Sequence, residues 1–131
     1  MVVFSTKSDY AVIILIELAK HKGYTSLGKL AKEKRLPYRY VSRIAGELKK
    51  AGFIESKEGV TGGYALAKSP KDIHALDILS VFEGGVSCTK CMVHGADCPR
   101  ESICSAKSKW SMMNQEILEL VKKYTLADFL L

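Results

Sequence analysis

Cysteine is absent from this chain except between residues 88 and 104, where all four fall. A framework of disulfides spread through the fold is therefore not expected, and a local site is. Long apolar runs are missing too: the block at residues 11–16, Ala-Val-Ile-Ile-Leu-Ile, falls far short of the roughly 20 residues that span a bilayer. No small-residue cleavage pattern follows it, so nothing directs the chain out of the cytoplasm, and no membrane association is expected. There is no internal repeat and no low-complexity tract. No Ser/His/Asp set, phosphate-cradling glycine loop or paired carboxylate constellation occurs, so an enzyme is not expected.

At 131 residues the chain is one domain, or a domain with an appendage. Lys plus Arg number 20 against 14 for Asp plus Glu, and the surplus is one-sided. Residues 1–74 carry 14 basic and 7 acidic side chains, whereas residues 75–131 carry 6 and 7. A basic front half points to a polyanion partner; the alternative is a merely solvated basic face.

Ser8 and Asp9 precede the first apolar block and can cap a helix over residues 8–22, with Tyr10, Ile14 and Leu18 on one stripe and Gly23 as its stop. Ser26 can cap a second helix over residues 27–34, turning Leu27, Leu30 and Ala31 inward. Pro37 suits the first turn of a third helix, since its missing amide hydrogen costs nothing there. On that helix Val41, Ile44, Ala45 and Leu48 follow the buried spacing. The opposite face presents Arg39, Ser42, Arg43, Gly46 and Lys50. Arginine offers bidentate donors to guanine edges or phosphates, serine can contact either, and a glycine lets a helix approach a groove wall closely.

Residues 53–57 and 64–67 read as two strands around the glycine-rich turn Glu58-Gly59-Val60-Thr61-Gly62-Gly63. Three short helices followed by a two-stranded hairpin is the order of a winged helix-turn-helix, in which the third helix enters the major groove. Arg39, Ser42 and Arg43 are the expected base or phosphate contacts. Lys49, Lys50 and Lys57 are expected to neutralise phosphate, and either Tyr38 or Tyr40 to touch DNA while the other joins the core. The expected fold is thus mainly α: a winged helix-turn-helix with a small two-stranded wing over residues 1–72, then residues 73–131 with a cysteine loop (84–104) and a long dimerisation helix. A helix from residue 71 or 75 to residue 82 should send Leu76, Leu79 and Val81 into the core.

The loop holds Cys88, Cys91, Cys98 and Cys104 together with Gly84, Gly85, Gly95 and Pro99, and has neither a helical nor a strand period. Thiolates converging on a metal would organise a loop that long. Iron in a cluster and zinc both accept thiolate sulfur, and spacing does not decide between them. His94, within the loop, is a further candidate ligand, against a solvated reading; His21 and His74 read as surface residues. The helix expected over residues 105–124 carries Trp110, Met113, Ile117, Leu120 and Tyr124 in a heptad seam flanked by Asn114 and Val121. A twofold mate is the expected partner of that seam, because DNA-reading helices commonly work in pairs. Thr125 to Asp128 resembles a capping box for a short terminal helix.

The sequence resembles the IscR/NsrR-type family of winged-helix iron-sulfur transcription regulators over nearly its whole length. The residues that carry the resemblance are Ser8-Asp9-Tyr10-Ala11, the run Leu48-Lys-Lys-Ala-Gly-Phe-Ile54, Gly62-Gly63-Tyr64, and Cys98 and Cys104 followed by Trp110. The resemblance implies a homodimeric, cytoplasmic repressor or activator that binds double-stranded operator DNA. It also implies an iron-sulfur cluster that senses iron-sulfur status, nitric oxide or redox state.

Cys91, Cys98 and Cys104 match the cluster ligands, and Cys88 and Asp9 compete for the last position, because Lys107 stands where some members place a histidine. Glu58 replaces a groove-reading arginine of some members, so operator choice should differ. Two other readings stand beside this one: a zinc-stabilised protein-interaction adaptor, and a redox electron carrier, which would leave the basic helix and wing unused.

Overall fold

A computed structural model of the chain describes residues 4–89 and 98–131. The first helix, α1 (Thr6–Lys20), starts ahead of the pair Ser8-Asp9: Ser5 is the N-cap, its hydroxyl accepting from the Ser8 amide. Ser8 instead is buried, and Asp9 sits exposed in the first turn. Ala11, Ile14, Leu15 and Leu18 form the buried stripe.

Helix α2 (Leu27–Lys34) is capped by Ser26 and turns Leu27, Leu30 and Ala31 inward. It stops at Arg35, which adopts left-handed backbone (φ 56°) while the Leu36 amide reaches back to the Ala31 carbonyl. That closing bond is the usual helix-ending geometry, here without the usual glycine. Glu17 on α1 clamps α2 through Lys34 Nζ at 2.9 Å and also pairs with Lys20 at 3.2 Å. Burial pulls the Glu17 carboxyl up, but hydrogen bonds from the two ammonium groups outweigh it and hold the group below its ordinary value.

Helix α3 (Tyr38–Lys50) begins directly after Pro37, which occupies the N-cap position and not the first turn. Val41, Ile44, Ala45 and Leu48 are fully buried. Each large aliphatic side chain among them contributes roughly 1.5–3 kcal/mol by leaving water, so the register of α3 is set by its apolar face. Strands β1 (Ile54–Lys57) and β2 (Gly63–Leu66) pair antiparallel, Ile54 opposite Leu66 and Lys57 opposite Gly63. A backbone bridge joins Thr25 to Tyr64, each amide donating to the other's carbonyl at 2.8 Å. The hairpin is thereby held against the α1–α2 connection.

A 3-10 turn at Pro70–Asp72 leads to helix α4 (Ala75–Glu83). Ile78 and Leu79 are buried and Leu76 half-buried, whereas Val81, expected in the core, is 43% exposed. With helical periodicity it falls about 200° round from Leu79, on the solvent side. Gly84, in left-handed backbone, ends α4. After a 3-10 turn at Glu101–Ile103 comes helix α5 (Lys107–Lys122), none of whose residues is buried. The capping box at Thr125 and Asp128 forms and opens a terminal 3-10 segment, Leu126–Leu130. Leu126 and Ile73 enter the same core as α1 and α3. The architecture is a mainly α winged helix-turn-helix followed by a long, outlying helix.

Candidate nucleic-acid interface and cysteine segment

Because α3 buries one stripe completely, its opposite face is delivered to solvent in a fixed order. Arg39, Ser42, Arg43, Gly46, Lys49 and Lys50 are all exposed. Arg39, Arg43, Lys49 and Lys50 form no ion pair among the described residues, whereas Lys20 and Lys34 on the neighbouring helices are spent on Glu17. A set of fixed, unneutralised cations on one helix face is the arrangement that phosphate and base edges require. A Cβ added at Gly46 would meet nothing within 4 Å, so the centre of this face has no protrusion.

Tyr38 is 58% exposed at the start of α3, while Tyr40 turns back and packs edge-on against Tyr10 of α1, ring centroids 5.3 Å apart at 84°. The sequence left open which tyrosine joins the core; it is Tyr40. The wing stands beside α3. Tyr38, Ser42, Lys57, Glu58 and Gly62 line a polar cleft between them. Lys57 Nζ lies 5.8 Å from the ring of Tyr24, whose hydroxyl donates to Glu55. Glu58 is exposed at the hairpin turn and lines this cleft with Lys57.

Around the cysteines the described residues are Cys88, Cys98 and Cys104; Cys91 and His94 lie outside them. Cys88, Cys98 and Cys104 are free thiols, Cys104 exposed and the other two half-buried. The donor chemistry suits a thiolate-binding metal. Among the described residues, however, no three of His, Cys, Asp and Glu converge closely enough to hold an ion. Asp9 therefore makes no ready-made site with Cys88, Cys98 and Cys104 within the single chain. Lys107 forms an ion pair with Glu101, whose carboxyl it holds below the ordinary value. His21 and His74 are exposed, as expected of surface residues.

Two contacts that sequence reasoning missed tie the segment down. The Cys88 amide donates to Asn114 Oδ1 on α5 at 2.8 Å. Glu83, five residues earlier in the chain, accepts from Ser8 Oγ and from the Ser5 amide, both at 2.6 Å. No local sequence signal marks either pair, since their members stand 26 to 78 residues apart.

The family model of Rrf2, described as iron-dependent transcriptional regulator, matches residues 4–130. The chain belongs to the Rrf2 family. Membership makes it a DNA-binding transcriptional regulator, in keeping with its exposed α3 face. The HTH-type transcriptional regulator CymR of Bacillus subtilis is 33% identical over 126 residues, which is 95% of this chain and 86% of that protein. The solved structure of CymR, the global cysteine regulator of B. subtilis, superposes with a TM-score of 0.82 at 32% identity, covering 99% of this chain and 97% of the other. That of T. potens IscR gives 0.76 at 34% identity, covering 96% and 84%. These relatives are transcriptional regulators, which accords with the absence of a catalytic constellation in the sequence.

Proposed function

We propose that this protein is a homodimeric regulator that reads operator DNA with α3 and senses through its cysteine segment. The division of labour runs along the chain, residues 1–72 reading DNA and residues 73–131 sensing and pairing. The observation that carries the reading is the unneutralised outward face of α3 beside the wing. Arg39 and Arg43 contact base edges or phosphates, Ser42 and Tyr38 add hydrogen bonds, and Lys49, Lys50 and Lys57 neutralise phosphate. Glu58 weakens phosphate contact at the wing tip and shifts operator choice. The expected place of action is the cytoplasm; no helix among the described residues is long and apolar enough to cross a membrane.

Pairing is supported by the seam on α5. Trp110, Met113, Ile117, Leu120 and Tyr124 are all exposed in the single chain, at the heptad spacing that packs helix on helix. A second copy covering them, with the 105–124 region as its dimerisation helix, would set the separation of the two α3 helices. Half-sites one turn apart need about 34 Å.

For the sensor, Cys91, Cys98 and Cys104, with Cys88 or Asp9 as the last ligand, would hold an iron-sulfur cluster. The thiolate donors and the family's description as iron-dependent support this choice over zinc. A cluster would supply a centre that reacts with oxidants and nitric oxide. A second reading, metal-free thiol sensing, is favoured by Cys104, a thiol exposed to solvent and so open to oxidants.

The test begins with selection of bound duplexes from a random pool, then fluorescence anisotropy across a salt series. Lys50→Ala should reduce the salt slope by about one, and Arg43→Ala should cost about 1–3 kcal/mol and relax specificity. Salt-independent binding, or an Arg43→Ala protein that still separates selected from scrambled duplexes as well as wild type does, defeats the DNA assignment. Anaerobic purification with iron, sulfide and zinc analysis decides the metal. Visible absorbance lost in Cys91→Ala supports the cluster, and a colourless, metal-free protein leaves the thiol reading.

A further inference from the structure

Two hydrogen bonds that span 75 and 78 residues of sequence join the last residue of α4 to the start of α1. Glu83 Oε1 accepts from the Ser5 amide and from Ser8 Oγ, both at 2.6 Å. Ser5 is itself the N-cap of α1, and Ser8 is buried. A carboxylate placed there meets the N-cap amide, a first-turn hydroxyl and the positive end of the helix dipole. Glu83 is thus a cap for α1 supplied from another helix. Burial raises its affinity for a proton, yet the bonds from Ser8 and Ser5 outweigh this and keep it ionised below the ordinary carboxylate value.

The position of this cap at the entrance to the cysteine segment gives it a second role. Gly84 and Gly85 both take positive φ, at 72° and 128°, and Cys88 comes three residues later with its amide held by Asn114 of α5. A short arm therefore runs from the capping carboxylate to the first thiol, fixed at one end to α1 and at the other to α5. On the reading-head side the connection continues: α1 carries Tyr10, which packs edge-on against Tyr40 of α3. The carboxylate, its two serine partners and the aromatic pair link the start of the cysteine segment, through α1, to the helix that carries Arg39 and Arg43.

We propose that Glu83 is the positioning residue through which the cysteine segment and the DNA-reading helix sense each other's state. The inference rests on the DNA-reading function proposed above. A displacement of the arm at Cys88 moves the end of α4, and Glu83 passes it to α1 as a shift of the helix's first turn. Linkage is reciprocal: if the state of the segment biases DNA affinity, DNA occupancy must bias the segment by the same factor. The coupling can therefore be read without any metal, from the reactivity of the thiols.

The experiment uses the reduced, metal-free full chain and a duplex selected from the random pool. Alkylation of Cys88 by iodoacetamide is tracked by mass spectrometry with and without saturating duplex, and duplex affinity is measured on the same samples. In wild type the duplex should change the Cys88 alkylation rate several-fold. In Glu83→Ala that change should disappear, while Glu83→Gln, which keeps an oxygen able to accept both bonds, should retain most of it. Circular dichroism and duplex affinity show whether each variant is folded. A folded Glu83→Ala that keeps the full duplex effect overturns the proposal, as does a wild type that binds duplex with no change at Cys88; both outcomes leave the DNA reading standing. Failure of the wild type to bind any selected duplex removes the DNA reading itself, and the inference falls with it.

Discussion

The close approach of the wing to the α1–α2 connection makes Gly63→Ala the sharpest test of the fold. An added Cβ would sit 2.3 Å from the Thr25 carbonyl oxygen and 2.5 Å from its carbon, and the backbone there has φ +144°. Restoring ordinary contact requires the two segments to part by about 1 Å. The atoms that must part are those that bond, since the Thr25 and Tyr64 amides donate across the same gap at 2.8 Å. Losing both bonds costs about 1 kcal/mol each, and an alanine in that backbone region costs roughly 1–3 kcal/mol more. A loss of about 3–5 kcal/mol is a large share of the 5–15 kcal/mol typical of a domain.

Urea unfolding monitored by circular dichroism reads this loss as a lowered midpoint at unchanged slope. Gly46→Ala is the matched control: its Cβ points into open space in the middle of α3, and alanine gains about 0.8–1 kcal/mol over glycine inside a helix. The two substitutions are chemically identical and should move the midpoint in opposite directions. A Gly63→Ala protein within about 0.5 kcal/mol of wild type, inside the range of ordinary surface changes, would show that the wing is not held against Thr25.

Other consequences can be checked with the same material. Leu120→Glu places a charge in the exposed seam of α5, so sedimentation of the variant should show monomer where the wild type shows dimer, with duplex affinity reduced; a wild type that is monomeric at micromolar concentration sinks the pairing. Glu17→Ala removes the clamp between α1 and α2 but leaves both lysines in water, so the loss should be about 1 kcal/mol or less. Because the Glu17 and Glu83 carboxyls are held below the ordinary value of 4.5 in the folded chain, the unfolded chain binds protons first as pH falls. Their contribution is full above about that ordinary value and is lost as pH drops through the lower folded values. Urea midpoints measured down from pH 6 should decline at the acid end less steeply in Glu17→Ala than in wild type.

Much of this was legible from residue spacing. Helix α2 begins where Ser26 caps it and buries its apolar pattern, and the buried and outward faces of α3 follow from Val41, Ile44, Ala45 and Leu48. Periodicity works there because one stripe packs on a core and the other does not. It failed at the start of α1, where Ser5 and Ser8 are both good caps by chemistry. Ser8 Oγ is instead taken up by Glu83, 75 residues away, and no window along the chain contains that information. Val81 stands about 200° round from Leu79, so the two cannot share a face, and which of them enters the core is settled by the neighbours that cover Ile78 and Leu79. The Thr25–Tyr64 bridge is likewise settled by tertiary contact, whereas Arg35 takes left-handed backbone where the local Leu36–Ala31 bond closes α2 with no glycine to signal it. In the cysteine segment, composition marks the candidate thiols, but whether and where they meet depends on contacts that spacing does not encode.

The attachment of α5 bears on how a signal at the cysteines could reach DNA. Beyond its C-terminal end the chain is bound back to the start of α4, the Ala75 amide donating to the Tyr124 carbonyl at 2.9 Å and the Leu126 amide to that of Ile73 at 2.8 Å. Leu126 is itself part of the core that α1 and α3 share. The helix is therefore anchored at its foot to the reading head, while Asn114, ten residues before Tyr124, holds Cys88. At 1.5 Å per residue the two attachments stand about 15 Å apart along the helix. On the proposal above, a displacement at Cys88 would act on α5 through Asn114 and on α1 through Glu83 at the other end of the same arm. If α5 pairs with a second copy, a small rotation at its foot changes the spacing of two α3 helices at once, and that spacing decides whether both can enter the groove.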